Sequence, residues 1–171
     1  TFGKTALLGE YMRKQGNGSR DNVHSQVDDL NLKAVFTLNP RHSVTLKGNY
    51  YDEDSQITYS GLTQAEYDAA PRQNPFENDG FDGQRLGASP KHTWLVGSQA
   101  LLVTHLYAST FSRDWWRQSS NSGQRPNDSR DPKCGGMANL LTTCGNEGRL
   151  RDYDHYGVEP RLRFALPVLG V

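Results

Sequence analysis

Asp28-Asp29-Leu30-Asn31-Leu32-Lys33-Ala34-Val35-Phe36-Thr37-Leu38 places an apolar side chain at every second position. Leu30, Leu32, Ala34, Phe36 and Leu38 form one set, and Asn31, Lys33 and Thr37 stand between them. A period of two sends the sets to opposite faces of a strand, whereas a helix would scatter them around its circumference. The pattern recurs on both sides of this stretch. In His42–Tyr51, Val44, Leu46, Gly48 and Tyr50 oppose Thr45, Lys47 and Asn49. In Arg85–Val96, Leu86, Ala88, Trp94 and Val96 oppose Arg85, Ser89, Lys91 and Thr93. In Tyr153–Phe164, Tyr156, Val158, Leu162 and Phe164 oppose His155, Glu159, Arg161 and Arg163. Thr5–Arg13 and Gln99–Trp116 have strand composition without a settled phase.

The connections set the order. Asn39-Pro40-Arg41 and Gly97-Ser98 are tight, while 14–26, 55–84 and 117–150 are long and polar. Long and short connections alternate, so the expected fold is all-β, with antiparallel up-and-down strands and the long loops at one end. Long structureless loops are uncommon in compact soluble domains. Outer-membrane barrels pair short periplasmic turns with long extracellular loops as a rule.

Composition excludes several classes. The 171 residues carry no formal net charge, are 10% aromatic and have a mean hydropathy of −0.77. Zero net charge with this aromatic content argues against a self-repelling disordered tail, and it gives no support to nucleic-acid binding. Uninterrupted apolar runs are too short for a membrane-spanning helix or a signal-peptide core, but a barrel strand needs only one apolar face.

Two architectures stay open. In a barrel wall the apolar face meets lipid, and Lys33, Lys47, Asn49, Lys91, Arg161 and Arg163 line a wet lumen. In a soluble or surface-displayed β-sandwich, a binding module for carbohydrate or protein, the apolar face meets a second sheet. The barrel predicts Leu30, Leu46, Leu86 and Val158 on one continuous face; the sandwich predicts them interdigitated. Tyr50, Tyr51, Trp115, Trp116, Tyr153 and Tyr156 near the long-loop ends fit an interfacial girdle. Pro90 lacks a backbone N–H inside its strand, which predicts a bulge or a shifted register.

Several stretches resemble the TonB-dependent outer-membrane receptors, in the branch of ferric citrate receptors. They are Arg13-Lys14-Gln15-Gly16-Asn17-Gly18-Ser19-Arg20-Asp21-Asn22, Val27–Lys33, Asn49–Ser55, and Gly61-Leu62-Thr63-Gln64-Ala65-Glu66-Tyr67 followed by Pro71, Gln73 and Asn74. Phe111–Arg117, Gly145–Arg151 and Gly157–Arg161 continue the series in the same order. Ser19 departs from the Phe usual there. The resemblance implies a barrel of 22 strands around a plug, of which residues 1–171 would supply about six as a partial barrel domain. No plug and no TonB box is recognisable, so the chain reads as a fragment. The implied setting is the bacterial outer membrane. The implied partners are ferric citrate or a related siderophore, outer-membrane lipid, and the TonB complex acting through the missing plug.

The resemblance also points to arginines of the loops and upper lumen as ligand holders. Planar guanidinium groups bind carboxylates with two parallel hydrogen bonds. Arg72 and Arg85 flank the Gly61–Tyr67 segment and rank first; Arg13, Arg20, Arg113 and Arg117 follow, with Gln15, Gln73 and Asn74 as hydrogen-bonding neighbours. Asp21, Asp82 and Asp114 are alternative salt-bridge partners for these arginines. Asp52, Glu53 and Asp54 form an acidic run. Cys134 and Cys144 lie in the longest loop, and an oxidising compartment favours a disulfide between them, with a metal pair or two free thiols as alternatives; such a closure contributes roughly 2–3 kcal/mol. His24, His42, His92, His105 and His155 lack metal-ligand spacing. There is no phosphate loop and no G-x-S-x-G elbow. The expectation is therefore no enzyme, no resident cofactor and no metal site.

Overall fold

In the computed structural model, residues 3–58, 61–74, 76, 79–118 and 146–164 are described. The strands are β1 (Thr5–Asn17), β2 (His24–Asn39), β3 (His42–Gln56), β4 (Gly80–Val96), β5 (Ala100–Gln118) and β6 (Asn146–Phe164). They form one six-stranded antiparallel sheet in chain order. Segments 18–23 and 57–79 join strands at one end; residues 40–41 and 97–99 join them at the other. Every strand runs further toward the long loops than the sequence reading, β5 by two residues to Gln118. Most residues of these extensions are polar, Val27, Phe81 and Leu150 being exceptions, so ladder hydrogen bonds rather than burial sustain them. Beyond β3 a short helix, α1 (Gln64–Ala69), opens with a capping box between Thr63 and Glu66.

Both tight turns have a local cause. The Asn39 side chain accepts the Arg41 N–H at 2.9 Å. Gly97 takes φ +72°, a left-handed backbone that suits glycine.

Directly paired residues share a face, so the registers sort every side chain. One face carries Leu7, Leu32, Leu46, Leu86, Leu106, Val158 and Leu162. Leu30 pairs with Tyr50, and Tyr50 with Leu86, on this same face. The four apolar residues named as the discriminator thus share one surface. They do not interdigitate: Leu46 is 43% exposed, Leu86 62% and Val158 65%. Among the described residues there is one sheet and no second layer for them to meet. Among the described residues the buried hydrophobic one is Phe76, and Ser55, Asn74 and Asp79 are the buried polar ones.

Two details differ from the sequence reading. Leu38 falls at the irregularity between Thr37 and Asn39, outside the regular apolar row. Pro90 produces no bulge. It stays in register opposite Leu46 on β3. The β4–β5 ladder omits Ser89 and Pro90 and resumes in the same register at Lys91↔His105. The missing N–H costs ladder bonds on one side only.

Near the short-turn end of the apolar face, His42 Nδ1 lies 3.0 Å from His92 Nε2. Trp94 stacks on His42 with ring centroids 5.5 Å apart. Tyr11, Tyr50 and Tyr156 stand on the same face toward the long-loop end, all exposed.

A candidate anion-binding wall

The opposite face is polar along most of its height. From the short-turn end it presents Lys91 beside Thr45, then Lys33 opposite Lys47, then Asn31 opposite Asn49. Higher, three successive cross-strand rows mix cations with rings. Tyr51, Arg85, Phe111 and Tyr153 form the first; Glu53, Gly83, Arg113 and Arg151 the second; Ser55, Phe81, Trp115 and Arg149 the third. These rows exist because β4, β5 and β6 continue past the apolar band, and strand alternation then turns every odd residue of all three to this side.

The geometry is cation-rich. Arg113 and Arg151 are directly opposed across β5 and β6, a juxtaposition that destabilises a ladder unless an anion offsets it. Arg113 and Arg149 each lie over the Trp115 ring with the guanidinium carbon 5.7 Å from its centroid. Arg85 lies over Tyr51 at 5.4 Å. Arg151 donates to Tyr153 Oη at 3.3 Å, and Tyr153 stacks on Phe111 with centroids 6.0 Å apart. Rings that hold guanidinium faces leave the N–H edges aimed outward. Arg113 Nε is buried with no hydrogen-bond partner. The nearest carboxylate on these rows, Glu53, already accepts from Tyr51 Oη and from Ser55 Oγ at 2.9 Å. Chemically, the arrangement suits a multiply charged anion.

The structure gathers only some of the residues expected here. Arg85 and Arg113 come together in adjacent rows. Arg149, assigned by sequence to a loop, and Arg151, between that loop and the expected strand, belong to β6 and complete the cluster; their signal was alternation with Tyr153 and His155, which runs on to residue 149. Arg13 and Gln15 lie on the other face, opposite Asp28 and Gln26, in the rows beyond Tyr11 and Leu30. There Arg13 donates to Gln26 Oε1 at 2.8 Å and pairs with Asp28 at 3.9 Å.

Arg20, Arg72, Gln73 and Asn74 belong to the loops. Arg72 pairs with Asp21 at 3.9 Å, and the Asp21 N–H donates to the Arg72 carbonyl at 2.7 Å, which clips the two long connections together. Arg20 donates to the Thr58 carbonyl at 3.4 Å and lines an open cavity of about 510 Å³ with Thr63, Gln64 and Tyr67. The Gln73 amide donates to the Glu66 carbonyl. Asn74 is buried and accepts the Phe76 N–H at 3.1 Å, so it organises the loop. Arg117 lies at the β5 end, where only the backbone is described, and Cys134 and Cys144 lie outside the described residues.

The acidic run is not a cluster in space. Glu53 faces the polar side, while Asp52 and Asp54 face the apolar side. The register instead opposes Asp28 to Asp52, and Asp54 to Asp82 and then Asp114. Among the described residues no group of three or more His, Cys, Asp or Glu side chains is placed to hold a metal ion, and no helix is long and apolar enough to cross a membrane.

No protein-family model matches the chain. Among solved structures it is similar to the ferric citrate transporter FecA in its unliganded form, with a TM-score of 0.64 and 23% identity. The match covers 70% of this chain and 18% of that one, so the chain corresponds to under a fifth of that transporter's length. At this identity the likeness concerns the fold.

Proposed function

We propose that this sheet is part of the barrel wall of an outer-membrane transporter for an anionic ferric complex, ferric citrate or a related siderophore. One observation carries the reading: an exposed apolar face lies back to back with a face that collects guanidinium groups. The apolar rows on β4 run from Leu86 to Val96, roughly 35 Å along the strand at ~3.3 Å per residue. At a tilt of ~40° that is about 27 Å in height, close to the ~25 Å apolar band of outer-membrane barrels. Tyr11, Tyr50 and Tyr156 mark one border, and Trp94 and Phe164 the other, as interfacial girdles do. With the long connections outside the cell, Arg85, Arg113, Arg149 and Arg151 line the upper lumen.

Capture follows from the chemistry of the wall. The opposed guanidinium groups repel until an anion enters, so binding relieves strain already present in the empty wall. Trp115 and Tyr51 fix the planes of three of them, which limits the side-chain entropy lost on binding. Release inward is assigned to the TonB complex through a plug outside these residues, and closure of the β1 and β6 edges to further strands of the same barrel. The structural likeness to a ferric citrate transporter agrees with this reading.

The test is radioiron uptake in an iron-starved, receptor-null strain expressing the gene from its full reading frame. Ferric-chelate uptake that needs TonB supports the proposal. Correctly inserted protein with no TonB-dependent uptake of any ferric chelate would falsify it.

A further inference from the structure

Rings have two uses on the polar wall. Phe81 covers Gly83 and Tyr107 covers Gly157, in each case where a Cβ would collide with the ring. Tyr51 is used differently. It carries the Arg85 guanidinium over its face at 5.4 Å, and its hydroxyl donates to Glu53 Oε2. The other carboxylate oxygen, Glu53 Oε1, accepts from Ser55 Oγ at 2.9 Å, and Ser55 is buried. Tyr51 and Ser55 stand two residues before and after Glu53, on its own face of β3. Both carboxylate oxygens are therefore held by neutral donors of the same strand.

A carboxylate beside guanidinium groups gains more by pairing with one of them, since a charge-assisted bond is roughly twice as strong as a neutral one. Arg85 is the diagonal neighbour of Glu53, because Glu53 pairs with Gly83 and Tyr51 with Arg85. Long side chains reach across such a diagonal. Arg113 lies one strand further, opposite Gly83, but the rings of Phe81 and Phe111 fill the space over Gly83 between them. Arg85 is thus the cation open to Glu53, yet among the described residues the two form no ion pair. Resting on the function proposed above, we infer that Tyr51 and Ser55 are positioning residues, which hold the Glu53 carboxylate along β3 and so keep Arg85 open to the anionic ligand. Without these two donors the wall supplies its own anion. Glu53 swings across to Arg85, and an incoming ferric complex must displace it.

The experiment uses the full-length receptor in detergent. Phenylglyoxal labelling of Arg85 and Arg113 is read by mass spectrometry, and equilibrium binding of ferric citrate is measured on the same samples. Wild type is set beside Tyr51→Phe/Ser55→Ala, which removes both donors and keeps the ring, and beside the same pair combined with Glu53→Gln. The double variant should label Arg85 about three- to five-fold more slowly and bind ferric citrate weaker by a similar factor, the size of one partly exposed ion pair. Adding Glu53→Gln should restore both readings, and Arg113 should label alike throughout. Arg85 labelling untouched in the double variant overturns the inference. So does a loss that Glu53→Gln fails to restore, which is the mark of a merely structural role. Arg85 labelling that follows the expected pattern in a receptor that binds no ferric citrate upholds the positioning role and removes ferric citrate from the proposed function.

Discussion

The polar wall has two cationic zones, and they are built differently. The lower zone holds Lys33 opposite Lys47, with Lys91 one row away. The upper zone holds Arg113 opposite Arg151, with Arg85 and Arg149 beside them. Like charges face each other in both. In the lower zone the charges sit on flexible stems among Thr45, Ser89 and Asn49, with no ring over them. In the upper zone guanidinium planes are held against Trp115 and Tyr51. An ammonium on a mobile stem stays hydrated and adapts to whatever approaches, whereas a braced guanidinium offers a fixed pair of donors. Positive charge alone therefore makes a wet wall; positive charge with a fixed orientation makes a binding site.

Four changes test that contrast, and the largest effect should come from moving a charge by one residue. Lys47 is tolerated because its face meets water, and Leu46 beside it points the other way. Leu46→Arg puts a cation near mid-height of the apolar band, at a cost of about 2–4 kcal/mol. The expected outcome is a marked loss of heat-modifiable, folded receptor in outer-membrane fractions, while Lys47→Arg assembles normally. Equal assembly of both variants would contradict the assignment of the two faces.

Next comes the upper zone itself. Truncating Arg113 and Arg151 together to Ala should lower ferric-chelate uptake by about 100-fold or more at unchanged protein level, since charge-assisted bonds contribute ~1.5–3 kcal/mol each. Truncating Lys33 and Lys47 together should leave uptake within about two-fold, as for weakly held surface charges. Similar losses in both pairs would erase the distinction between the zones.

A smaller effect separates the two uses of aromatic rings. Gly157→Val drives a side chain into Tyr107, and overpacking of this kind costs about 1–3 kcal/mol. Gly9→Ala meets only Leu32, at an ordinary 3.5 Å, and should stay within ~0.5 kcal/mol of wild type. Thermal unfolding in detergent reads both. The smallest effect is a gain: Lys47→Glu converts an opposed pair into an attractive one, for about 0.2–1 kcal/mol. The same scan should show a slightly higher midpoint, with ligand affinity unchanged.

Much of this sheet was legible because β2, β3, β4 and β6 keep polar and apolar residues largely apart, with Val35 and Leu95 as exceptions. Their faces follow from parity, and the pairings agree. β5 was not legible, because Leu101 and Val103 fall on the polar face and Leu102 and Leu106 on the apolar one. Only pairing with β4 and β6 sets its phase. The upper strand ends were hidden because most of their residues are polar, so Arg149 passed for a loop residue. Nearness in sequence to a ligand-like loop says nothing of which way an odd residue of β1 turns, and Arg13 and Gln15 turn to the face of Tyr11. The burial of Asn74 and its hydrogen bond from the Phe76 N–H are not encoded in composition.

Spatial order equals chain order from β1 to β6. No strand waits for a partner made much later, and each new hairpin finds its template already in place. Such a sheet can grow like a zipper, one strand per tooth, with most of its loop-closure entropy spent on the nearest neighbour. Opening the Gly97 turn would leave β1–β4 and β5–β6 as two intact combs whose free edges still match. The architecture thus suits split-protein complementation, with reassembly guided by the register that Pro90 leaves undisturbed.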